Sequence, residues 1–236
     1  NLNPSLVIIP TYNEVDDIES VLTLLLAGRP SVDILIVDDS SPDGTAEIVR
    51  KFAGQHPEVH LLLRSAKEGL AKAYLAGFDW GLNKNYNQFV QMDADLSHNP
   101  TDVTRLTHAL KNADVVIGSR YIKGGATSGW SWLRQLISRG GNLYARAILN
   151  SPYRDMTGGF NAWTRDALVA VELSTIKSRG YGYQVEMKFR AFRKNLRIIE
   201  IPITFRNRIH GYSKMSKDIV REAAMSVLKL RKEMMP

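Results

Sequence analysis

Three oxygen-bearing side chains spaced two residues apart, Asp93, Asp95 and Ser97, follow the apolar run 89–92. If that run is a strand, residues two apart point to one face. Two carboxylates and a hydroxyl would then meet at one spot as the strand ends. Hard oxygen donors of this kind suit Mg²⁺ or Mn²⁺, ions usually shared with substrate phosphates. An Asp-x-Asp also ends strands and caps helices without binding anything, so the motif alone leaves both readings open. Other polar residues stand after other apolar runs. Tyr12 can pack on a base, and Glu14 can accept from its ring or a ribose; equally, they are a loop aromatic and a helix-start carboxylate near a favourable dipole. Asp38 and Asp39 can accept from a nucleobase or ribose, a role that falls mainly to Asp39, while Asp43, Gly44 and Thr45 supply turn and cap chemistry. Arg120 can hold a phosphate through its planar fork or form a surface ion pair. Arg134 and Ser138, four apart on a helix, share a face and with Arg120 can receive one phosphate dianion. Arg139 and Arg146 read as surface charges. The basic, Gly-containing loop 206–214 can close over a diphosphate or remain a solvated face.

These residues need elements to place them. Runs 5–10 and 33–38 are continuously apolar, as strands buried on both faces are. Helical spacing follows each, over 18–27 and 46–53. A strand over 59–63 precedes a helix over 71–81, with Gly69 suited to the tight turn between them. The aspartate-bearing strand comes next, then a helix over 101–110 and a strand over 114–119. This alternation predicts a largely parallel sheet covered on both faces, with ligands at the carboxyl ends of the strands. The second half is less regular. A flexible loop is expected over 123–129, helices over 133–149 and 164–173, and a further helix from 181 carrying Glu186. A Gly-rich turn over 155–160 either lets the backbone approach a ligand or only makes the turn. A strand over 196–205 contains Pro202, which points to an edge or an exit. His98 reads as structural or exposed, and Lys67 as a solvated charge. From 217 onward Ile219, Ala223, Val227, Leu230 and Met234 recur at helical spacing, either as a packed helix or as one lying on an anionic membrane surface.

Length and composition bound these readings. The 236 residues suffice for one α/β domain, and no linker or repeat marks a second. There is no cysteine, hence no disulfide, thiolate metal site or thiol nucleophile. No apolar run approaches the roughly 20 residues of a spanning helix, and no signal peptide is visible. The chain begins at Asn1, as an excised or trimmed piece would. A net charge of +7 favours anionic partners: nucleotides, lipid phosphates, a membrane face or nucleic acid. Nucleic acid is the weakest of these, because no reader motif is present and the strand ends carry carboxylates.

Read together, Pro10-Thr11-Tyr12-Asn13-Glu14, Asp38-Asp39-Ser40-Ser41-Pro42-Asp43-Gly44-Thr45, Met92-Asp93-Ala94-Asp95-Leu96-Ser97, Gly118-Ser119-Arg120-Tyr121, Ile137-Ser138-Arg139-Gly140, Thr157-Gly158-Gly159-Phe160 and Gly211-Tyr212-Ser213-Lys214-Met215 resemble the dolichyl- or polyprenyl-phosphate mannose synthases of glycosyltransferase family 2. The match runs in order from about residue 5 to about residue 220 and covers the catalytic part alone, without the transmembrane helices some members carry. The resemblance implies a Rossmann-like GT-A fold in one catalytic domain. A nucleotide-binding half would span about 1–121, an acceptor-binding half about 122–214, and an amphipathic helix about 216–235. It implies transfer of mannose from GDP-mannose to a polyprenyl or dolichyl phosphate, with inversion to a β-linked product. By motif, Pro10, Tyr12, Glu14, Val37 and Asp39 would contact the guanosine part. Asp93, Ala94 and Asp95 would lie at the ribose and the metal. Arg120, Arg208 and Lys214 would hold diphosphate or acceptor phosphate, and Arg134 and Ser138 the acceptor phosphate. Many relatives carry Gln where this chain has Ser97, a shorter and weaker ligand.

Such an acceptor explains why no general base is assigned. A sugar hydroxyl needs one when it attacks, whereas a phosphomonoester with a second pKa of about 6 is already mostly dianionic. Without a spanning helix the protein would meet its lipid peripherally, at a cytosol-facing membrane, through 130–149, the last helix, or a membrane-anchoring partner. Two alternative enzymes keep part of this pattern. One has the same fold with UDP-glucose or another donor, or with a hydroxyl acceptor. The other is a phosphotransferase with a strand-end Asp nucleophile, although two βα units precede the Asp-x-Asp here.

Overall fold

The structure, a computed structural model, describes residues 4–28, 32–208 and 217–234. Apolar runs make the buried strands. β1 (Ser5–Thr11), β2 (Val32–Asp38), β3 (Val59–Leu63) and β4 (Gln88–Gln91) are all parallel neighbours, in the order β3-β2-β1-β4. Between them run α1 (Val15–Ala27), α2 (Thr45–Ala53) and α3 (Leu70–Leu82). The chain adds β2 and β3 on one side of β1 and then returns to place β4 on the other. The crevice beyond the carboxyl ends of β1 and β4 is thus a topological switch point, where open α/β sheets bind ligands. α3 holds these strands closely. A Cβ at Gly77 would lie 2.5 Å from Ile8 Cγ2, and one at Gly81 2.6 Å from Phe89 Cε1.

The second half departs from the expected parallel pattern. α4 (Asp102–Ala109) leads to β5 (Val115–Ser119) and then to a short strand, β6 (Ala126–Ser128), inside the segment expected to be loop. α5 (Trp132–Leu149) follows, capped by the Ser131 hydroxyl, which accepts from the Arg134 backbone N–H. β7 (Asn161–Thr164) then inserts between β4 and β5, antiparallel to both. Thr164 ends β7 and caps α6 (Arg165–Ala170), so the expected helix 164–173 starts one residue later and gives way to a 3₁₀ turn at Leu173–Thr175. After α7 (Gly180–Arg193), the strand expected over 196–205 divides. β8 (Ile198–Pro202) is the edge of the large sheet, parallel to β5, and Pro202 ends it. β9 (Thr204–Arg206) pairs with β6 in a separate two-stranded ribbon. α8 (Lys217–Met234) closes the described chain.

Two apolar layers cover the sheet. Ile18, Val21, Leu22 and Leu25 of α1, Val49 of α2, and Val103 and Leu106 of α4 pack on one face. Tyr74 and Phe78 of α3, Leu168 of α6, and Tyr183 and Met187 of α7 pack on the other. A third cluster joins Ala145 and Leu149 of α5 to Val185 and Phe189 of α7 and to Val227 and Leu230 of α8. Among the described residues no helix is long and apolar enough to cross a membrane.

Candidate active site

β4 ends at Gln91, so strand alternation does not align Asp93, Asp95 and Ser97 as expected; the chain bends instead. Leu96 sits at φ 57°, and the Asp95 Oδ1 accepts the Ser97 N–H at 3.1 Å, a local Asx bond that stabilises the turn. Asp93 Oδ1 accepts the Tyr74 hydroxyl at 3.2 Å. Its own N–H donates to His98 Nδ1 at 3.1 Å. That bond puts the imidazole proton on Nε2 and leaves the ring neutral, so the 3.9 Å approach of Nδ1 to the Asp93 carboxylate is not an ion pair. Burial lowers the His98 pKa, in keeping with the neutral ring. Burial also raises the pKa of Asp93, with the Asp95 charge adding to the effect and Arg208 and the Tyr74 hydroxyl opposing it. The Arg208 Nε lies 2.6 Å from Asp95 Oδ2 and partly neutralises the pair.

This donor set fits a divalent cation shared with a diphosphate. It is all oxygen, two of its members are carboxylates, and the buried Ser97 Oγ has no hydrogen-bond partner among the described residues. Among the described residues no third acidic or imidazole ligand joins them there, so the remaining positions would fall to phosphate oxygens and water.

The opposite wall of the crevice comes from β1 and β2. Asp38 is the structural member of its pair: it accepts from the Thr11 and Ser41 hydroxyls and from the Ser41 N–H. Asp39 accepts from Arg64 at 2.7 Å and from the Glu68 N–H at 3.3 Å. Lys67, expected as a solvated charge, lies 3.7 Å over the Tyr12 ring. The Glu14 N–H donates to Thr45 Oγ1, and the Asp43 carboxylate caps both flanking turns as expected. Pro10 pairs with Val37 across the ladder. The Val37 side chain is wholly in the core, so only its main chain can face a ligand.

Arg120, Arg134 and Ser138 do come together, around two aromatic rings. Trp130 is flanked by Arg134 at 4.0 Å and Arg120 at 5.7 Å. The Tyr121 hydroxyl donates to Ser138 Oγ at 2.6 Å. Arg134 also donates to Asn207 Oδ1 at 2.9 Å. Arg120 is not a surface ion pair: its Nε and Nη2 donate to the two oxygens of buried Asp155 at 2.8 and 2.7 Å, and Nη2 also reaches Thr157. Arg120 is the charge that holds the Asp155 carboxyl below its usual pKa, against burial, which acts the other way. A row of rings links this region to the aspartates, running from Trp130 to Phe205 at 5.4 Å, to His98 at 5.2 Å and to Phe160 at 4.6 Å. The Gly-rich turn approaches the same place, since a Cβ at Gly159 would lie 3.7 Å from the Asp93 carboxylate. Lys214 and the motif 211–215 lie outside the described residues.

The family model for glycosyl transferase family 2 matches residues 6–171, which includes both walls of this crevice. The chain belongs to that family. It is 47% identical over 222 residues to the undecaprenyl-phosphate mannosyltransferase of Micrococcus luteus, covering 94% of this chain and 91% of that one. It is 43% identical to the polyprenol monophosphomannose synthase of Mycolicibacterium smegmatis, with 94% and 85% covered. Among solved structures it resembles the glucosyl-3-phosphoglycerate synthase of Mycobacterium tuberculosis, solved with Mn²⁺, uridine diphosphate and glucosyl-3-phosphoglycerate. There the TM-score is 0.72 at 18% identity, covering 100% of this chain and 82% of that one. This glycosyltransferase therefore has a GT-A-like fold, as its sequence motifs imply.

Sequence reasoning missed what holds the site of this family 2 glycosyltransferase in shape. Lys188 on α7 is fully buried and donates to the carbonyls of Asp155, Met156 and Gly158 at 2.9, 3.3 and 2.7 Å. Asn142 bonds both the main chain and the hydroxyl of Thr157. A lysine among Val185, Ala191 and Phe192 on one helix face was the available signal for Lys188; nothing local marks Asn142.

Proposed function

We propose that this chain moves mannose from GDP-mannose to a polyprenyl (dolichyl-type) phosphate, inverting the anomeric centre to give a polyprenyl-phosphate β-mannose. The observation that carries the reading is the gathering of Arg120, Arg134 and Ser138 around Trp130 and Tyr121, joined by the Phe205–His98 ring row to the Asp93–Asp95 bend. The names of the relatives above support mannosyl transfer to a polyprenyl phosphate. Asp39 and Glu14, with Tyr12 and the main chain of Pro10 and Val37, bind the guanosine part; Ala94 lies at the ribose. Asp93 and Asp95 with Ser97 hold Mg²⁺ or Mn²⁺, which when bound neutralises charge on the diphosphate. Arg208, and Lys214 further along the sequence, hold diphosphate oxygens.

Arg134 and Ser138 hold the acceptor phosphate. Arg120, fixed in place by Asp155, adds its charge at a set distance. The acceptor oxygen attacks the anomeric carbon in line as the bond to GDP breaks. Positioning and charge stabilisation supply the rate, and the acceptor, already a dianion, gives up no proton. The nucleotide half lies within about 1–121 and the acceptor half within about 122–214 of one catalytic domain. The protein works peripherally on a cytosol-facing membrane surface, held by α5, by α8 or by an anchoring partner. Arg134→Ala should raise the KM for lipid phosphate about tenfold or more, as loss of a charge-assisted contact does, while GDP binding by calorimetry is unchanged. Equal weakening of both would contradict the assignment.

A further inference from the structure

A basic cavity lies beside the proposed acceptor site and shares Arg120 and Tyr121 with it, while its other arginines have no part in the proposed transfer. It is a cavity of about 360 Å³ whose lining includes Arg120, Tyr121, Arg139, Leu143, Arg146 and Arg154. Arg139 and Arg146 were expected to be ordinary surface charges; they stand two turns apart on the same side of α5 and share this cavity. Arg146 Nε is buried with no hydrogen-bond partner among the described residues. No described carboxylate pairs with Arg139, Arg146 or Arg154. Asp155 answers the charge of Arg120, and the further arginines gathered in this concave site focus a positive field that an anion relieves. Guanidinium forks match the oxygens of a phosphate in particular.

The same side of α5 says what carries that phosphate. Trp132, Leu136 and Leu143 are 76%, 60% and 64% exposed. With Arg139 and Arg146 they occupy one helical face, spaced four, three, four and three residues apart. Apolar side chains interleaved with arginines are what a helix lying in a bilayer interface presents, the first reaching toward acyl chains and the second held at headgroup level. Leu143 belongs to both the ridge and the cavity wall, so a phosphate held there would have its acyl chains beside the ridge. Tyr121 belongs to both places: it lines this cavity, and its hydroxyl donates to Ser138 of the proposed acceptor site.

We propose that the arginine cavity binds the headgroup phosphate of an anionic membrane phospholipid and so seats the enzyme on the bilayer with its acceptor site facing the lipid. This rests on the peripheral-membrane reading above. The test is co-sedimentation of the full chain with phosphatidylcholine vesicles, with and without phosphatidylglycerol. Affinity for the phosphatidylglycerol vesicles should fall about fivefold for each arginine replaced, and about 25-fold in Arg146→Gln/Arg154→Gln. Arg146→Lys keeps the charge and loses the fork, so it should recover only part of the loss. GDP binding, and the KM for a short polyprenyl phosphate in detergent, should match wild type in these variants.

Wild-type vesicle binding in the double variant would overturn the proposal. So would full recovery by lysine, which would mean diffuse attraction alone. A raised KM for the acceptor in detergent would reassign the cavity to the acceptor itself. If inorganic phosphate shifted the Tm as far as dihexanoyl phosphatidylglycerol does, the site would serve soluble anions. Arginine-dependent vesicle binding without any mannosyl transfer would support the headgroup site and count against the proposed reaction.

Discussion

Asp93 and Asp95 illustrate how far single residues can be read. Their spacing after an apolar run announces oxygen chemistry, but the geometry that makes it work is a bend at Leu96, not the alternation of a strand. Asp95 is held by Arg208 on one oxygen and by the Ser97 N–H on the other, a small cage of its own. Asp95→Asn keeps the shape and removes the charge. It should abolish metal-dependent turnover with no loss of Tm; full activity in that variant would remove the metal role. His98 shows what the sequence leaves out. Its ring lies flat against Phe160, edge-on to Phe205, and accepts from Asp93 N–H, partners that no local pattern joins to it. His98→Phe preserves the stacking and strands that N–H. The expected cost is about 1–3 kcal/mol in urea denaturation, with a lowered kcat and little change in donor KM. An unchanged kcat would show that Asp93 does not depend on this contact.

At the scale of elements, the long apolar strands and amphipathic helices of the first half were legible, because continuous burial leaves a continuous pattern. β7 was not: four residues running from a Gly-rich turn to a capping Thr are too few to alternate, and their burial comes from insertion between β4 and β5. β6 and β9, three residues each, exist only because they pair with each other. The turn that leads into β7 depends on Lys188, whose Nζ reaches three of its carbonyls. Lys188→Met should destabilise the protein by about 2–4 kcal/mol. Burial pushes the Lys188 pKa from 10.5 down to about 7. Between those values the unfolded chain holds a proton that the folded chain has released, so this group makes stability rise with pH across that window. Chemical denaturation at pH 6.5 and pH 9 should therefore show a wider gap between wild type and Lys188→Met at the higher pH. A gap that stays the same at both pH values would mean the ammonium remains charged in place.

At the scale of the whole molecule, a basic chain of net charge +7 folds so that its carboxylates collect at the switch point and its arginines collect around α5. The switch point was foreseeable from strand order and charge at the strand ends. The grouping around α5 was not, because Arg120, Arg146 and Arg154 meet only through tertiary packing. The two regions adjoin through the ring row, as the proposed transfer requires. The most direct test follows labelled mannose from GDP-mannose to a short polyprenyl phosphate in detergent, with Mg²⁺ or Mn²⁺ and then with chelator. Formation of a lipid-phosphate mannose that stops on chelation is the predicted result. Transfer that chelator leaves untouched would contradict the metal role, and no transfer from GDP-mannose while a UDP-sugar is used would contradict the donor.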